Sequence, residues 1–313
     1  MISWQRLVNA ATDFAPWTDR RKIGFMHIPR TSGTALVEAI GRTERPGRKV
    51  YALDRVLFGH FDAFDEFYPA VRRMIHSDPA TLPPRARFLG GHMAYSTLHA
   101  TGRGHLMTIL REPRMRVLSH WMFWRNHSEA DLVRLGSWGT RVRLGRRPLA
   151  TFLSSPGIAC QTDNLMTRML LWPHPLIPAD DFIKPESDAE LTRAALARLD
   201  SFAFVDILEN PAMLANLQAW LGRPIDYGRS NEAQPILPDR LADLPSEMIG
   251  RTMPLMSARC RLDAVLWMHI ATRAFGEEAA RMLGERVFDA GLERYGHLLA
   301  GAPPSRVPER AAA

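Results

Sequence analysis

The chain contains 313 residues, of which 46% are hydrophobic and 23% are charged. That composition is ordinary for a folded globular protein and excludes the disordered, collagen-like and fibrous classes. The length allows either two domains of about 150 residues or one large α/β domain. We predict one domain over residues 1–300, followed by a disordered, Pro- and Ala-rich tail over residues 301–313.

The charged residues are strongly biased toward arginine. The net charge is +7, and all but three of the 40 basic residues are arginines, the lysines being Lys22, Lys49 and Lys184. The forked guanidinium group suits phosphate, sulfate and carboxylate partners, so the chain is disposed toward anionic ligands. The alternative is that most of these arginines are ordinary solvated surface residues. No single arginine therefore identifies an anion-binding site.

Neither a disulfide framework nor a membrane segment is visible in the sequence. Cys160 and Cys260, the only two cysteines, are a hundred positions apart and match no disulfide or metal-binding spacing. No run of about 18 apolar residues occurs, and residues 1–14 have the pattern of a short amphipathic helix rather than of a secretory signal. We expect no bound metal, no transmembrane segment and a reducing, cytoplasmic location.

Three apolar runs are each followed by a turn and a helical pattern. They pair residues 23–28 with 34–40, 106–110 with 113–125, and 202–208 with 211–221. Repeated strand–turn–helix units predict an α/β fold, here a P-loop-like parallel sheet flanked by helices on both faces. The C-terminal third is predicted to be helical, with an apolar stripe of Leu262, Val265, Leu266 and Ile270 that ends at Gly276.

The turn after the first predicted strand has the composition of an anion-binding loop. Pro29 ends the strand, and Gly33 permits close backbone approach. The backbone amides from Ser32 to Ala35 would point out of the helix start, where the helix dipole favours an anion. Arg30 adds a full charge. The hydroxyl groups that can cap the helix or bind a ligand are those of Thr31, Ser32 and Thr34. An ordinary capped turn beside a solvated arginine is the alternative.

This loop is not a Walker A motif. That motif requires GxxxxGK[ST], whereas no Gly-Lys pair follows here and the upstream Gly24 lies inside the predicted strand. An ATPase or GTPase is therefore disfavoured, although an unusual nucleotide loop stays open.

A second candidate anion site follows the second strand. Arg111 stands at the carboxyl end of that strand, at the same edge of the sheet as Arg30. Glu112 and Ser119 are seven residues apart, so they share one helix face, and Ser119 and Arg111 could hold one phosphate between them. The alternative is that Arg111 pairs with an acid and Ser119 bonds back to its own helix. Two anion sites at neighbouring strands predict a ligand with two separated phosphate-like groups.

The two segments together resemble the sulfotransferases that use 3′-phosphoadenosine 5′-phosphosulfate. The first is similar to the family's 5′-phosphosulfate loop, HxPKTxGT, and the second to its 3′-phosphate motif, RxPxxRxxS, matched by Arg111, Pro113, Arg116 and Ser119. Weaker similarities fall at residues 90–95, 161–170, 202–209, 231 and 262–267. The order of these segments resembles the carbohydrate branch that contains the heparan sulfate 2-O-sulfotransferases, and the resemblance spans residues 22–275.

This resemblance implies roles for the candidate residues. The loop backbone with Arg30 and Thr34 would bind the 5′-phosphosulfate, and Arg111 with Ser119 the 3′-phosphate. The family's loop lysine is Arg30 here. Because arginine does not give up a proton at usable pH, Arg30 can stabilise charge on the transferred sulfonate and the departing phosphate, but it cannot donate a proton.

The resemblance also points to His92 as the base that takes the acceptor proton. Histidine suits that role because its ordinary pKa lies near neutral pH. We expect Gly90 and Gly91 to form a turn that delivers His92 to the sheet edge. His27, inside the first strand, His60, and an unplaced acidic residue are the alternatives.

Two further groups of residues are less informative. The arginines at positions 134, 141, 143, 146 and 147 could steer a polyanionic acceptor or simply be solvated. Asn164, Thr167 and Arg168 match a family segment of no derivable role, and Arg168 is expected to support the fold.

The predicted function is sulfonyl transfer to an acceptor hydroxyl, of a carbohydrate or another small or anionic glycan, with no metal and no nucleic-acid partner. Two alternatives stay open. A small-molecule kinase would bind ATP more tightly than 3′,5′-adenosine bisphosphate. A non-catalytic polyanion-binding protein would bind with a steep salt dependence and would tolerate a change at Ser119.

Overall fold

The computed structural model describes residues 21–42, 49–76, 81–82, 86–227 and 235–302. The predicted helix over residues 1–14, position 231 and residues 303–313 of the predicted tail lie outside these ranges.

Six parallel strands form one sheet in the order β3-β2-β4-β1-β5-β6. The strands are β1 (Ile23–Met26), β2 (Lys49–Asp54), β3 (Ile75–His76), β4 (Phe88–His92), β5 (His105–Leu110) and β6 (Phe204–Ile207). All five pairings are parallel, so every connection must cross over the sheet and return through a helix or a long loop. The predicted α/β class is confirmed.

Helices cover the sheet and form the C-terminal region. They are α1 (Gly33–Arg42), α2 (Pro69–Arg72), α3 (Tyr95–Ala100), α4 (Pro113–Arg125), α5 (Glu129–Val133), α6 (Trp138–Val142), α7 (Leu149–Leu153), α8 (Ala159–Thr162), α9 (Leu165–Leu171), α10 (Asp188–Asp200), α11 (Met213–Leu221), α12 (Leu244–Glu247), α13 (Thr252–Phe275) and α14 (Glu277–Leu299). None of the helices in the described ranges is long and apolar enough to cross a membrane.

The sheet separates two apolar cores. Along β5, Leu106 and Leu110 belong to one core and Met107 and Ile109 to the other, because successive side chains of a strand point to opposite faces. Helices α1 and α11 cover one face, and α3, α4, α9 and α13 contribute to the other core. Burial on both faces is what a parallel sheet requires, and it holds the carboxyl ends of the central strands in fixed positions.

Three details differ from the sequence prediction. Strand β1 ends at Met26, two residues before Ile28, and α1 continues through Gly41 to Arg42, since a glycine is tolerated inside a helix whose other residues are packed. Val265 is 43% exposed and is not part of the apolar stripe, whereas the neighbouring Leu266 is buried. One residue along a helix turns the side chain by about 100°, which carries Val265 off the buried face.

Candidate functional site

Three neighbouring strands deliver the candidate residues to one edge of the sheet. In the order β4-β1-β5, the first strand ends at His92, the second leads into the loop that contains Arg30, and the third is followed directly by Arg111. Parallel strands place their carboxyl ends at the same edge, where ligands of such sheets bind. The structure therefore brings Arg30, Arg111 and His92 together, as the sequence analysis expected.

The loop between β1 and α1 is held in an unusual backbone conformation. Arg30 and Ser32 both have positive φ, 73° and 57°, a region that costs non-glycine residues energy and is retained where surrounding contacts impose it. The Thr31 hydroxyl is buried and donates to the carbonyl of Ile28 at 2.9 Å, so its hydrogen is already used within the loop. The other two hydroxyl-bearing residues of the loop, Ser32 and Thr34, are partly exposed.

The start of α1 presents its backbone amides at this edge. Helix α1 begins at Gly33, and within the described part of the chain the amides from Ser32 to Ala35 have no backbone acceptor. A Cβ at position 33 would lie 2.1 Å from Cδ2 of His27, so only glycine lets the helix start this close to β1. Amides that lack acceptors at the positive end of a ten-residue helix are what an anion-binding loop needs.

Arg30 reaches from the loop to helix α4. Its Nε donates to Oγ of Ser119 at 3.1 Å, and its guanidinium lies over the ring of Phe123, 4.6 Å from the centroid. Burial, with smaller contributions from the charges of Arg111 and Arg116, lowers the pKa of Arg30 to about 10, and Tyr295 opposes this shift. Arg30 remains a cation near neutral pH and is held beside other cations.

Arg111 joins this loop to the last helix. Its Nη1 donates to the backbone carbonyl of Arg30 at 2.9 Å, and its Nη2 donates to the hydroxyl of Tyr295 at 3.2 Å. Ser119 lies close enough to act on the Tyr295 hydroxyl as a hydrogen-bonding neighbour. Burial raises the pKa of Tyr295, but the charge of Arg111, the Ser119 bond and the charge of Arg30 together lower it to about 8.

Ser119 makes a contact with Arg30 that the sequence analysis did not foresee. The prediction set Ser119 with Arg111 in one pocket and Arg30 in another, but Ser119 accepts its hydrogen bond from Arg30. The reason is that α4 passes across the β1–α1 loop, so its second turn faces that loop. Hydrogen bonds thus link the two predicted anion sites through one cluster of side chains, which comprises Arg30, Arg111, Ser119 and Tyr295. Glu112 lies apart from it and caps α4 through the amide of Met115.

His92 lies at the end of β4 and not in a turn. Gly90 and Gly91 belong to that strand, and a Cβ at Gly91, where φ is +149°, would lie 1.9 Å from the carbonyl oxygen of Ala52. The glycines thus allow close strand packing instead of chain reversal. The expectation of a Gly-rich turn was wrong, although His92 still reaches the sheet edge.

The environment of His92 fixes one tautomer. Nδ1 lies 2.6 Å from the carbonyl oxygen of His27, so Nδ1 must carry the hydrogen, which leaves Nε2 with a lone pair. Burial lowers the pKa of His92 to about 4; the His27 carbonyl opposes this shift and the Arg30 charge adds to it. At neutral pH the ring is uncharged and can accept a proton at Nε2.

The other candidate bases are less well placed. The His27 ring is buried against Gly33, and burial holds its pKa well below the ordinary value. His60 is exposed, and its backbone amide bonds to the Asp180 carboxylate. Of the three histidines, His92 alone combines a fixed tautomer with a position at the edge shared by Arg30.

Sequence reasoning named Arg116 and Ser119 of α4 but missed His120 and Phe123 on the same helix face, and it missed the tyrosine of α14. Arg116, Ser119, His120 and Phe123 follow the i, i+3, i+4, i+7 spacing of one helix face, which was the available signal. Nε and Nη1 of the buried Arg116 and both ring nitrogens of the buried His120 have no hydrogen-bond partner in the described residues. Buried polar groups are normally satisfied, so this face has donors in excess. Tyr295 gave no such signal.

The segments around residues 161–170 and 262–267 support the fold. Asn164, with φ of 45°, accepts from the amide of Leu262 at 2.8 Å, and Asp263 accepts from the amide and hydroxyl of Thr167 at 2.9 Å. Arg168 forms a buried ion pair with Asp163 at 2.8 Å. These contacts join α9 to α13 and agree with a supporting role for Arg168.

The arginines of residues 134–147 are largely tied to neighbouring groups. Arg143 and Arg146 both bond to Glu129, whose pKa they lower to about 2. Arg141 donates to the carbonyl of Gly157 at 2.7 Å, and its guanidinium lies over the Trp138 ring. These contacts position much of the loop's positive charge next to a carboxylate.

Among the residues that the structure describes, no group of three or more His, Cys, Asp or Glu side chains could hold a metal ion. Cys160 and Cys260 are both buried thiols. No protein-family model matches the chain, and the search of curated proteins finds no match either.

Proposed function

We propose that this protein is a sulfotransferase that moves the sulfonyl group of 3′-phosphoadenosine 5′-phosphosulfate to an acceptor hydroxyl, of a carbohydrate or other glycan. The observation that carries the proposal is one sheet edge that combines two arginines, the open amides of a helix start and a neutral histidine. The arginines and amides suit two anionic groups of one ligand, and the histidine suits proton removal from a hydroxyl.

The excess of hydrogen-bond donors supports an anionic ligand at this edge. The amides of residues 32–35 and two nitrogens of the buried Arg116 lack acceptors in the described residues. Phosphate and sulfonate oxygens are acceptors only, so they complement such a surface. Arg30 and Thr34 would bind the 5′-phosphosulfate with these amides, and Arg111 with Ser119 would bind the 3′-phosphate.

The proposed reaction is a direct in-line displacement. The acceptor oxygen forms a bond to sulfur while the bond between sulfur and the 5′-phosphate oxygen breaks, which releases 3′,5′-adenosine bisphosphate. The acceptor proton passes to Nε2 of His92. Arg30 stabilises the charge that develops on the departing phosphate, a role that needs a fixed cation and no proton transfer.

Calorimetry with 3′,5′-adenosine bisphosphate, AMP and ATP tests the proposal. We expect the bisphosphate to bind at least about tenfold more tightly than AMP, the scale of a charge-assisted hydrogen bond. Arg111→Gln should remove most of that difference, whereas Arg143→Gln, whose side chain bonds to Glu129, should leave it unchanged. Binding that ignores the 3′-phosphate would contradict the proposal, and tighter binding of ATP would favour a kinase.

A further inference from the structure

Tyr295 lies at the centre of the cluster although no sequence motif marks it. Its hydroxyl accepts from Arg111 and has Ser119, which itself accepts from Arg30, as a hydrogen-bonding neighbour. The side chain is 7% exposed. Helix α14 thereby places a phenol between the two groups to which the proposed function assigns the 3′-phosphate.

The hydrogens of this cluster outnumber its acceptors. Arg30 and Arg111 only donate, whereas Ser119 and Tyr295 each carry one hydroxyl hydrogen. Ser119 acts on the Tyr295 hydroxyl as a hydrogen-bonding neighbour, and no other acceptor in the described residues takes a hydrogen from either hydroxyl. A group with several acceptor oxygens and no hydrogen of its own, such as a phosphate dianion, would accept such a hydrogen.

We infer that the Tyr295 hydroxyl is a third direct donor to the phosphate-like group that Arg111 and Ser119 bind. The inference rests on the proposed function for the identity of the nucleotide, but its chemistry applies to any tetrahedral dianion at this position. Tyr295 is thus a binding residue of the anion site, contributed by the last helix.

A phenol that donates a hydrogen bond must be protonated, so binding through Tyr295 depends on pH. The charged groups that face Tyr295 are Arg111 after β5 and Arg30 in the β1–α1 loop, with Arg294 of α14 6.0 Å from its ring and Arg116 of α4 acting on Arg30. The pKa of Tyr295 is about 8, so most of the unliganded protein carries a tyrosinate at pH 9, which repels a dianion. Because only the form with the neutral phenol binds the dianion well, the affinity for the dianion falls about tenfold between pH 7 and pH 9.

The test is calorimetry with 3′,5′-adenosine bisphosphate at pH 7 and pH 9. We expect the wild type to lose about tenfold in affinity between these values. Tyr295→Phe should bind about tenfold more weakly than wild type at pH 7, the scale of one hydrogen bond to a charged group, and should change by less than about twofold up to pH 9. Tyr68→Phe, at an exposed tyrosine, should follow the wild type.

A second measurement needs no variant. The ultraviolet absorbance of tyrosinate should show one of the five tyrosines titrating near pH 8, and saturating bisphosphate should move that midpoint above 9. A merely structural Tyr295 would leave the midpoint unmoved by ligand. That result, or a Tyr295→Phe variant that binds as tightly as wild type and keeps the same pH dependence, would overturn the inference.

Repeating both measurements with inorganic pyrophosphate separates this inference from the proposed function. If pyrophosphate binds with the expected dependence on Tyr295 and pH while the bisphosphate does not bind, the proposed function fails and the inference stands. If the bisphosphate binds without regard to Tyr295, the inference fails alone. If neither ligand binds, both fail.

Discussion

A neutral His92 at pH 7 can be tested without any substrate. The pKa of His92 is lowered to about 4, whereas a histidine in an unfolded chain has a pKa of about 6.5. His92→Asn is the informative change, because the asparagine amide nitrogen stands at about the position of Nδ1. It can keep the hydrogen bond to the His27 carbonyl, but it does not titrate.

The expected magnitude follows from these two pKa values. A lowered pKa means that the unfolded chain binds the proton more tightly, so the associated stability is present above pH 6.5 and is lost as the pH falls toward 4. At pH 4.5 the unfolded histidine is almost fully protonated and the folded one only about one quarter protonated. Between pH 7 and pH 4.5 this group removes about 2.4 kcal/mol from the free energy of unfolding.

The assay is urea unfolding, followed by tryptophan fluorescence, at pH 7.0 and pH 4.5. Wild type should lose about 2.4 kcal/mol more stability than His92→Asn over this interval. The buried His27 and His120 are present in both proteins, and burial, the main cause of their lowered pKa values, is the same in both; the charge of His92 is a smaller cause for each. His60→Asn, at an exposed histidine, should behave as wild type. Equal losses in wild type and His92→Asn would refute the assignment of a neutral, buried base.

Two further changes test the frame of the site. Gly33→Ala places a methyl group 2.1 Å from the His27 ring and should cost about 1–3 kcal/mol in urea unfolding, with weakened binding of 3′,5′-adenosine bisphosphate. Gly157→Ala, where a Cβ meets nothing within 4 Å, should change neither stability nor binding. Equal effects of the two substitutions would refute the close approach of Gly33 to His27. Asp163→Asn removes one partner of a fully buried ion pair and should cost about 3–5 kcal/mol in urea unfolding. Asp200→Asn, at a surface carboxylate, should cost less than about 1 kcal/mol. Similar losses in the two variants would contradict the role of the buried ion pair.

The fold was predictable where a strand is a plain apolar run. β1, β5 and β6 met that condition, and the rule that parallel strands share their carboxyl edge was enough to bring Arg30 and Arg111 together. β2 and β4 escaped the prediction because β2 contains Lys49, Tyr51 and Asp54, and because two of the five residues of β4 are glycines. Their places in the sheet are set by packing against neighbouring strands, and that context overrides local propensity.

The site was predictable only in part, for a related reason. Arg30 and Arg111 follow strands that the apolar pattern predicted, so their meeting follows from local pattern and topology. His92 ends a strand that the pattern did not predict, and only the family resemblance pointed to it. Tyr295 lies 184 residues along the chain from Arg111, on a helix whose docking depends on side-chain packing. The pairing of Ser119 with Arg30 depends on how α4 crosses the loop, and helix spacing alone leaves that angle undetermined.

The low basicity of His92 is consistent with the proposed function when the charge of the co-substrate is taken into account. General-base catalysis is most efficient when the pKa of the base lies near the working pH, and a pKa of about 4 is well below it. Burial and the Arg30 charge hold it there. A phosphosulfate bound beside Arg30 would offset that positive charge, the smaller of the two causes, and would raise the pKa of His92 in part. On the proposed function, His92 would therefore be a stronger base with the co-substrate bound than without it.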